Sequence, residues 1–184
     1  MSAMTLLPWR IVASREVYAA QPWMRVALQT VQLPDGRLVN DYHQIQVQEH
    51  CVIYAETAEG KIIVERQYKH GARSVGLSLP AGALAAGEDA KAAAARELLE
   101  ETGYAAEDWQ LMGVFAAHGN YGCGRAHMFK ARNAVAIAMP NSGDLEEIEL
   151  LLLDRADLLS ALRRGEVHLM GSVAAIGLAN LGAD

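Results

Sequence analysis

Alternation of apolar and polar positions marks the first part of the chain as a series of strands. Met24 to Leu33 and Arg37 to Val47 flank Pro34-Asp35-Gly36, a turn signal that predicts a hairpin. Cys51 to Ala55 and Lys61 to Gln67 flank Glu56-Thr57-Ala58-Glu59-Gly60 and predict a second hairpin. Val75 to Leu79 reads as a short strand running into Pro80-Ala81-Gly82. The period then changes. Asp89 to Thr102 is rich in alanine, leucine and glutamate, all good helix formers, and Gly103 sits where a helix stops in the left-handed conformation. Leu111 to Ala117, Ala126 to Ala131 and Ile148 to Leu153 read as further strands. Helices over Arg155 to Arg164 and Gly171 to Leu181 are predicted to close the chain.

The helix ending at Thr102 carries the chemistry. Glu97 and Glu101 are i,i+4 neighbours, and Glu97 and Glu100 are i,i+3 neighbours, so the three carboxylates share one face. Ala95, Leu98 and Leu99 fall on roughly the opposite face, which is expected to pack on a sheet. Like charges at these spacings cost a bare helix about 0.2–0.5 kcal/mol per pair. They also crowd the helix C-terminus, where the macrodipole disfavours anions. A hard divalent cation with oxygen ligands compensates both penalties, and its usual chemistry is with phosphates. Read alone, Glu100-Glu101 near a glycine is equally an ordinary solvated acidic face.

Composition narrows the class. With 184 residues and 52% hydrophobic content, the chain can build the core of one domain, with room for a small N-terminal extension. A formal net charge of -6 argues against a general nucleic-acid surface. Cys51 and Cys123 suggest neither a disulfide framework nor a zinc site and read as packed thiols. No segment is long enough to span a membrane, and Met1 to Arg10 does not read as a signal peptide, so the cytoplasm is the expected compartment.

From Gly82 to Tyr104 the order is Gly82, Glu88, Arg96-Glu97-Leu98, Glu100-Glu101 and Gly103-Tyr104, nine fixed positions in twenty-three residues. This segment resembles the Nudix box, with Tyr104 where an aliphatic residue is usual. The resemblance implies a Nudix α/β/α sandwich with a mixed β-sheet. It implies a metal-dependent enzyme that cuts the pyrophosphate bond of a nucleoside diphosphate linked to another moiety, using Mg2+ or Mn2+. By position, Glu97, Glu100 and Glu101 would bind metal, and Arg96 would orient them with Glu88 as its partner. The carbonyl of Ala81 would be a further ligand in the ADP-ribose pyrophosphatase-like branch. Leu33 to Arg37, Arg66 to Gly71, Leu79 to Gly82 and the stretch from Glu146 to Val167 are similar to that branch as well. The branch implies an N-terminal antiparallel β extension, residues 1–48, that pairs with a second subunit, and a hydrolase domain over 49–184. A homodimer is the expected assembly.

Other site residues are candidates only. The branch often takes its general base from a late loop; Glu146 is the first candidate and Glu147 the second, with Glu100 the alternative inside the box. The same residues also read as an ordinary acidic loop. Arg66 and Lys69 are candidates to hold phosphate or a terminal ribose, or are solvated charges. Trp23 and Tyr42 are candidates to stack on a base, or pack in strands. The loop from His118 to Arg125 is expected to line the cleft. Two departures stand out: Ser78 replaces the glutamate usual before Leu79-Pro80-Ala81-Gly82, and His118 stands where the branch usually has proline. Both leave open another nucleoside diphosphate sugar or a different pyrophosphate. Cleavage of nucleoside triphosphates or dinucleoside polyphosphates is the alternative activity, and a non-catalytic nucleotide-sugar sensor the third reading.

Overall fold

The structure, a computed structural model, describes residues 6–143 and 147–181. The chain divides into two compact units, Met1–Gln48 with Ala116–Gly124, and Glu49–Phe115 with Arg125–Asp184.

The first unit holds a three-stranded antiparallel sheet of β1 (Arg10–Ala20), β2 (Met24–Gln32) and β3 (Leu38–Gln46), in that order. Pro34-Asp35-Gly36 makes the β2–β3 turn as its residues dictate. Gly36 takes a φ of 87°, and the Asp35 carboxylate accepts from the Arg37 N–H at 3.0 Å. The segment 116–124 joins this unit through Asn120, whose carbonyl accepts from the Tyr42 hydroxyl at 3.0 Å and from Gln44 Nε2 at 2.9 Å.

The second unit is built on β4 (His50–Thr57), β5 (Ile62–Lys69), β6 (Ser74–Ser78), β7 (Ala81–Ala83), β8 (Tyr104–Ala105), β9 (Asp108–Ala116), β10 (Arg125–Ala136) and β11 (Ile148–Leu153). The main path runs β11-β5-β4-β10-β8; β6 pairs with β5, β7 with β4 and β9 with β10. The sheet is mixed: β10 lies parallel to β4, whereas β5 is antiparallel to its neighbours β4, β6 and β11.

Strand alternation sorts the core onto two faces. Cys51, Ile53, Ala55 and Ile63 pack with Ala93, Ala94 and Leu98 of α1 (Ala90–Thr102). Val52, Tyr54, Ile62 and Val64 pack on the other face with Leu158 and Ala161 of α2 (Arg155–Arg163) and Ala175 and Ile176 of α3 (Met170–Asn180). This is an α/β/α sandwich. Among the described residues no helix is long and apolar enough to cross a membrane.

The ends of α1 follow from its sequence. Asp89 caps it, accepting from the N–H groups of Lys91 and Ala92. Gly103 ends it with a φ of 75°, its N–H returning to the Leu99 carbonyl at 2.8 Å. The packing face differs from the expectation. Ala95 is exposed and Leu99 only half-buried, while Ala93, Ala94, Leu98 and Glu101 are buried. Glu101 therefore lies on the face turned toward the sheet rather than opposite it.

Candidate active site

The short strand β7 is the platform of the site. It pairs with β4 in the register Val52↔Ala81, Cys51↔Gly82 and His50↔Ala83. Each of its three residues meets a different side chain of α1. The Ala81 N–H donates to Glu101 Oε2 at 2.9 Å. Gly82 gives its missing side chain's space to Glu97: a Cβ there would stand 2.0 Å from Glu97 Cδ. The Ala83 carbonyl accepts from Arg96 Nη2 at 3.1 Å.

Arg96 ties the acidic groups together. Its Nε and Nη2 each lie 3.0 Å from a Glu88 oxygen, a two-point pairing. Nη1 donates to Glu97 Oε1 at 2.7 Å and Glu100 Oε2 at 3.1 Å. The Glu88 partnership, more than the others, raises the guanidinium's pKa and holds Glu88 below its ordinary value. Glu88 also accepts from the Ala85 N–H at 2.8 Å, which closes the loop leading into α1.

Glu101 is in the opposite state. It is 5% exposed, and burial first, then the charge of Glu65, push its carboxyl up to about 9 despite the Ala81 hydrogen bond. Glu65 on β5 is fully buried and hydrogen-bonds the Glu101 carboxyl. Gln67 Nε2 donates to Glu65 Oε2 at 2.8 Å and to Ser78 Oγ at 3.0 Å. Sequence reading missed this polar set. The available signal was Glu65 itself, a carboxylate in a strand at the period-two position shared with Ile63, which packs against α1.

The donor set is all hard oxygen: the Glu97 and Glu100 carboxylates on Arg96, a third on Glu101 raised first by burial and then by Glu65, and the backbone of β7. Such a set suits a divalent cation such as magnesium. Among the described residues no three acidic, histidine or cysteine side chains already form an ion-binding group, since Glu97 and Glu100 both turn to Arg96.

The remaining candidates are scattered. Glu146 lies outside the described residues. Glu147 is exposed, directly before β11. The preceding segment is fastened to the end of α1: the Ile137 and Ala138 N–H groups donate to the Gly103 carbonyl, and Asn141 N–H to the Glu100 carbonyl at 2.7 Å. Arg66 falls one residue out of phase with Glu65 and Gln67, so it projects from the α2 face of the sheet. There it pairs with Glu149 at 3.2 Å and lines a cavity of about 480 Å³ with Leu151, Asp157 and Arg164. Lys69 is in phase with Glu65 and Gln67, at the end of β5. Trp23 is 71% exposed in the β1–β2 connection. Tyr42 meets Trp9 edge-on at 5.7 Å, and its hydroxyl is committed to Asn120. The 118–123 loop belongs with these residues in the first unit. Cys51 is a packed thiol, pushed by burial to about 11 and so unreactive near neutrality.

A sandwich of this order gathers carboxylates around an arginine at the end of α1, against the short strand β7. Comparison with known proteins makes the assignment specific. The profile of the NUDIX domain matches residues 47–170, and that of the nucleoside diphosphate sugar hydrolase N-terminal domain matches residues 9–45. The chain belongs to the Nudix hydrolase family. It is 25% identical to the ADP-ribose pyrophosphatase of Bacillus subtilis (strain 168) over 169 residues, covering 90% of this chain and 89% of that protein. It is 29% identical to the methanol dehydrogenase activator of Bacillus methanolicus over 140 residues, 76% of this chain and 74% of that one. A solved structure described as an ADP compounds hydrolase superposes with a TM-score of 0.83 at 20% identity, over 96% of this chain and 95% of that chain, a likeness of fold. Nudix hydrolases generally use divalent metal ions.

Proposed function

We propose that this hydrolase cuts the pyrophosphate bond of ADP-ribose or a nucleotide sugar, giving a nucleoside monophosphate and a sugar phosphate. The observation that carries the reading is the β7 platform, where Ala81, Gly82 and Ala83 in turn hold Glu101, Glu97 and Arg96. Support for the substrate class comes from the match of residues 9–45 to a nucleoside diphosphate sugar hydrolase N-terminal domain and from the named B. subtilis relative.

Glu97, Glu100 and Glu101, with the Ala81 carbonyl, would hold Mg2+ or Mn2+, which when bound neutralises diphosphate oxygens and acidifies water. Arg96 keeps Glu97 and Glu100 from recoiling from one another and answers part of their charge. The general base we assign to Glu146, then Glu147, in the late loop from which the branch this chain resembles often takes it; Glu100 is the box alternative. Lys69 is the better placed of the two cationic candidates, since it shares the sheet face of Glu65 and Gln67. Trp23 and Tyr42 remain the stacking candidates.

The test is product formation from ADP-ribose, UDP- and GDP-sugars, NADH, dinucleoside polyphosphates and nucleoside triphosphates, each with magnesium, with manganese and with chelator. Metal-dependent cleavage of one diphosphate sugar into two monophosphates is expected. Preference for a triphosphate or a dinucleoside polyphosphate would move the assignment to that class. Tight binding of one ligand with no turnover would make the protein a sensor.

We also propose a homodimer formed through the first unit. Ile11, Val12, Val17 and Tyr18 of the edge strand β1 are all exposed, as are Leu6, Leu7 and Trp9 ahead of it. A long apolar edge strand is a liability unless something pairs with it. Sedimentation equilibrium is expected to return about twice 19.9 kDa; a monomer at micromolar concentration would refute this.

A further inference from the structure

Behind the box, on the strand rather than the helix, a second carboxyl is built into the fold. Glu65 is fully buried, and its direct cross-strand partner on β6 is Ser78, also buried. Gln67, next on the same face of β5, bonds both of them with one amide nitrogen. A buried acid is costly unless its hydrogen bonds are met. Gln67 meets one oxygen of Glu65 and ties it to the sheet, with its carboxyl against that of Glu101. Glu101 in turn is fixed by the Ala81 N–H.

We propose that Glu65 is a positioning residue: held on the sheet by Gln67, its carboxyl braces that of Glu101 and sets the direction in which Glu101 points from the β7 platform. The chain Ser78–Gln67–Glu65–Glu101 runs from two strands of the rigid sheet to the last turn of α1. It fixes Glu101 to the sheet independently of the helix. Partners of this kind, which orient a ligand without binding the ion, typically govern roughly 10–100-fold in affinity or activity. Glu65 has this role because Ser78 is small. A longer side chain at 78 would compete for the Gln67 amide and for the same buried space.

This inference rests on the metal-dependent reading above. It is tested by Mn2+ binding to the substrate-free protein, followed by electron paramagnetic resonance of the free ion, with kcat and KM measured alongside. Glu65→Leu removes the polar group at similar volume; Glu65→Gln keeps one. Glu65→Leu is expected to bind Mn2+ roughly 10–100-fold more weakly and to lose kcat rather than raise KM. Glu65→Gln should stay close to wild type. Wild-type Mn2+ affinity in Glu65→Leu overturns the proposal, and so does a Glu65→Gln variant as weak as Glu65→Leu, because a polar group of the same shape would then not position Glu101. Should Glu65→Leu not fold, Gln67→Met takes its place by releasing Glu65 from its amide. A several-fold weaker Mn2+ affinity is expected, and unchanged affinity overturns the assignment. If the wild-type protein itself binds no Mn2+, the metal reading falls, and the role of Glu65 with it.

Discussion

Glu101→Gln is expected to abolish turnover while leaving the fold intact. The change keeps the side chain's shape and an oxygen able to accept from the Ala81 N–H. Without metal it is nearly silent, because a carboxyl pushed up to about 9 is protonated at pH 7 and glutamine mimics it. The sign follows from linkage. The folded-state value lies above the ordinary 4.5, so the folded protein binds the proton more tightly and loses stability as pH rises from 4.5 toward 9. Glutamine has no such loss, so the metal-free variant should melt at or above the wild-type temperature between pH 7 and 9. In turnover, on the proposed metal reading, it lacks a charged ligand. Metal ions contribute several kcal/mol to such transition states, and each 1.36 kcal/mol is tenfold, so a fall in kcat of about a thousandfold or more is expected. Melting curves with chelator and initial rates with metal separate the two effects. Near-normal rates in a folded variant would sink the metal assignment.

The residues that defined α1 were local, and locality explains what could be read. Asp89 and Gly103 cap the helix through atoms within four positions of themselves, so their types alone mark its ends. The β2–β3 turn and β11 are legible for the same reason. β1 was not foreseen, and its burial explains why: ten of its eleven residues are exposed, so no apolar face imposes a period of two. The parallel pairing of β10 with β4 joins strands more than seventy residues apart and leaves no local trace. Nor does the attachment of Asn120 to Tyr42 and Gln44, which places 116–124 in the first unit.

Within the site the pattern misled in one respect. Charge suggested that all three glutamates face away from the sheet. In fact the helix turns Glu101 inward beside Leu98 and exposes Ala95. A buried carboxylate breaks the amphipathic rule at the place where function needs it, and Glu65 breaks it a second time. Both are costs that a core alone would not select. They are intelligible as the geometry of a cation site.

Gly82→Ala is the second large effect, expected to cost activity with little cost in stability. Gly82 is not in the left-handed region, so its backbone accepts an alanine. The added Cβ would lie 2.0 Å from Glu97 Cδ and 2.2 Å from both carboxylate oxygens. Those atoms are the far end of a flexible side chain, so Glu97 swings aside rather than β7 moving. It then leaves the 2.7 Å bond to Arg96, and Arg96 loses one of the three box carboxylates it ties together. Displacing an oriented ligand in this way costs roughly 10–100-fold in kcat or metal affinity. Gly103→Ala is the control, because it should do the reverse. Its φ of 75° disfavours any side chain by about 1–2 kcal/mol, and its Cβ would stand 2.2 Å from the rigid Ala138 carbonyl oxygen. For a chain of this size each kcal/mol lowers the melting temperature by about 2–4 °C. Two glycine-to-alanine changes at the two ends of one motif should therefore separate cleanly, one in rate and the other in melting temperature. Equal loss of stability in both would mean that Gly82 serves only the packing of α1 on β7, and that Glu97 is not held there for chemistry.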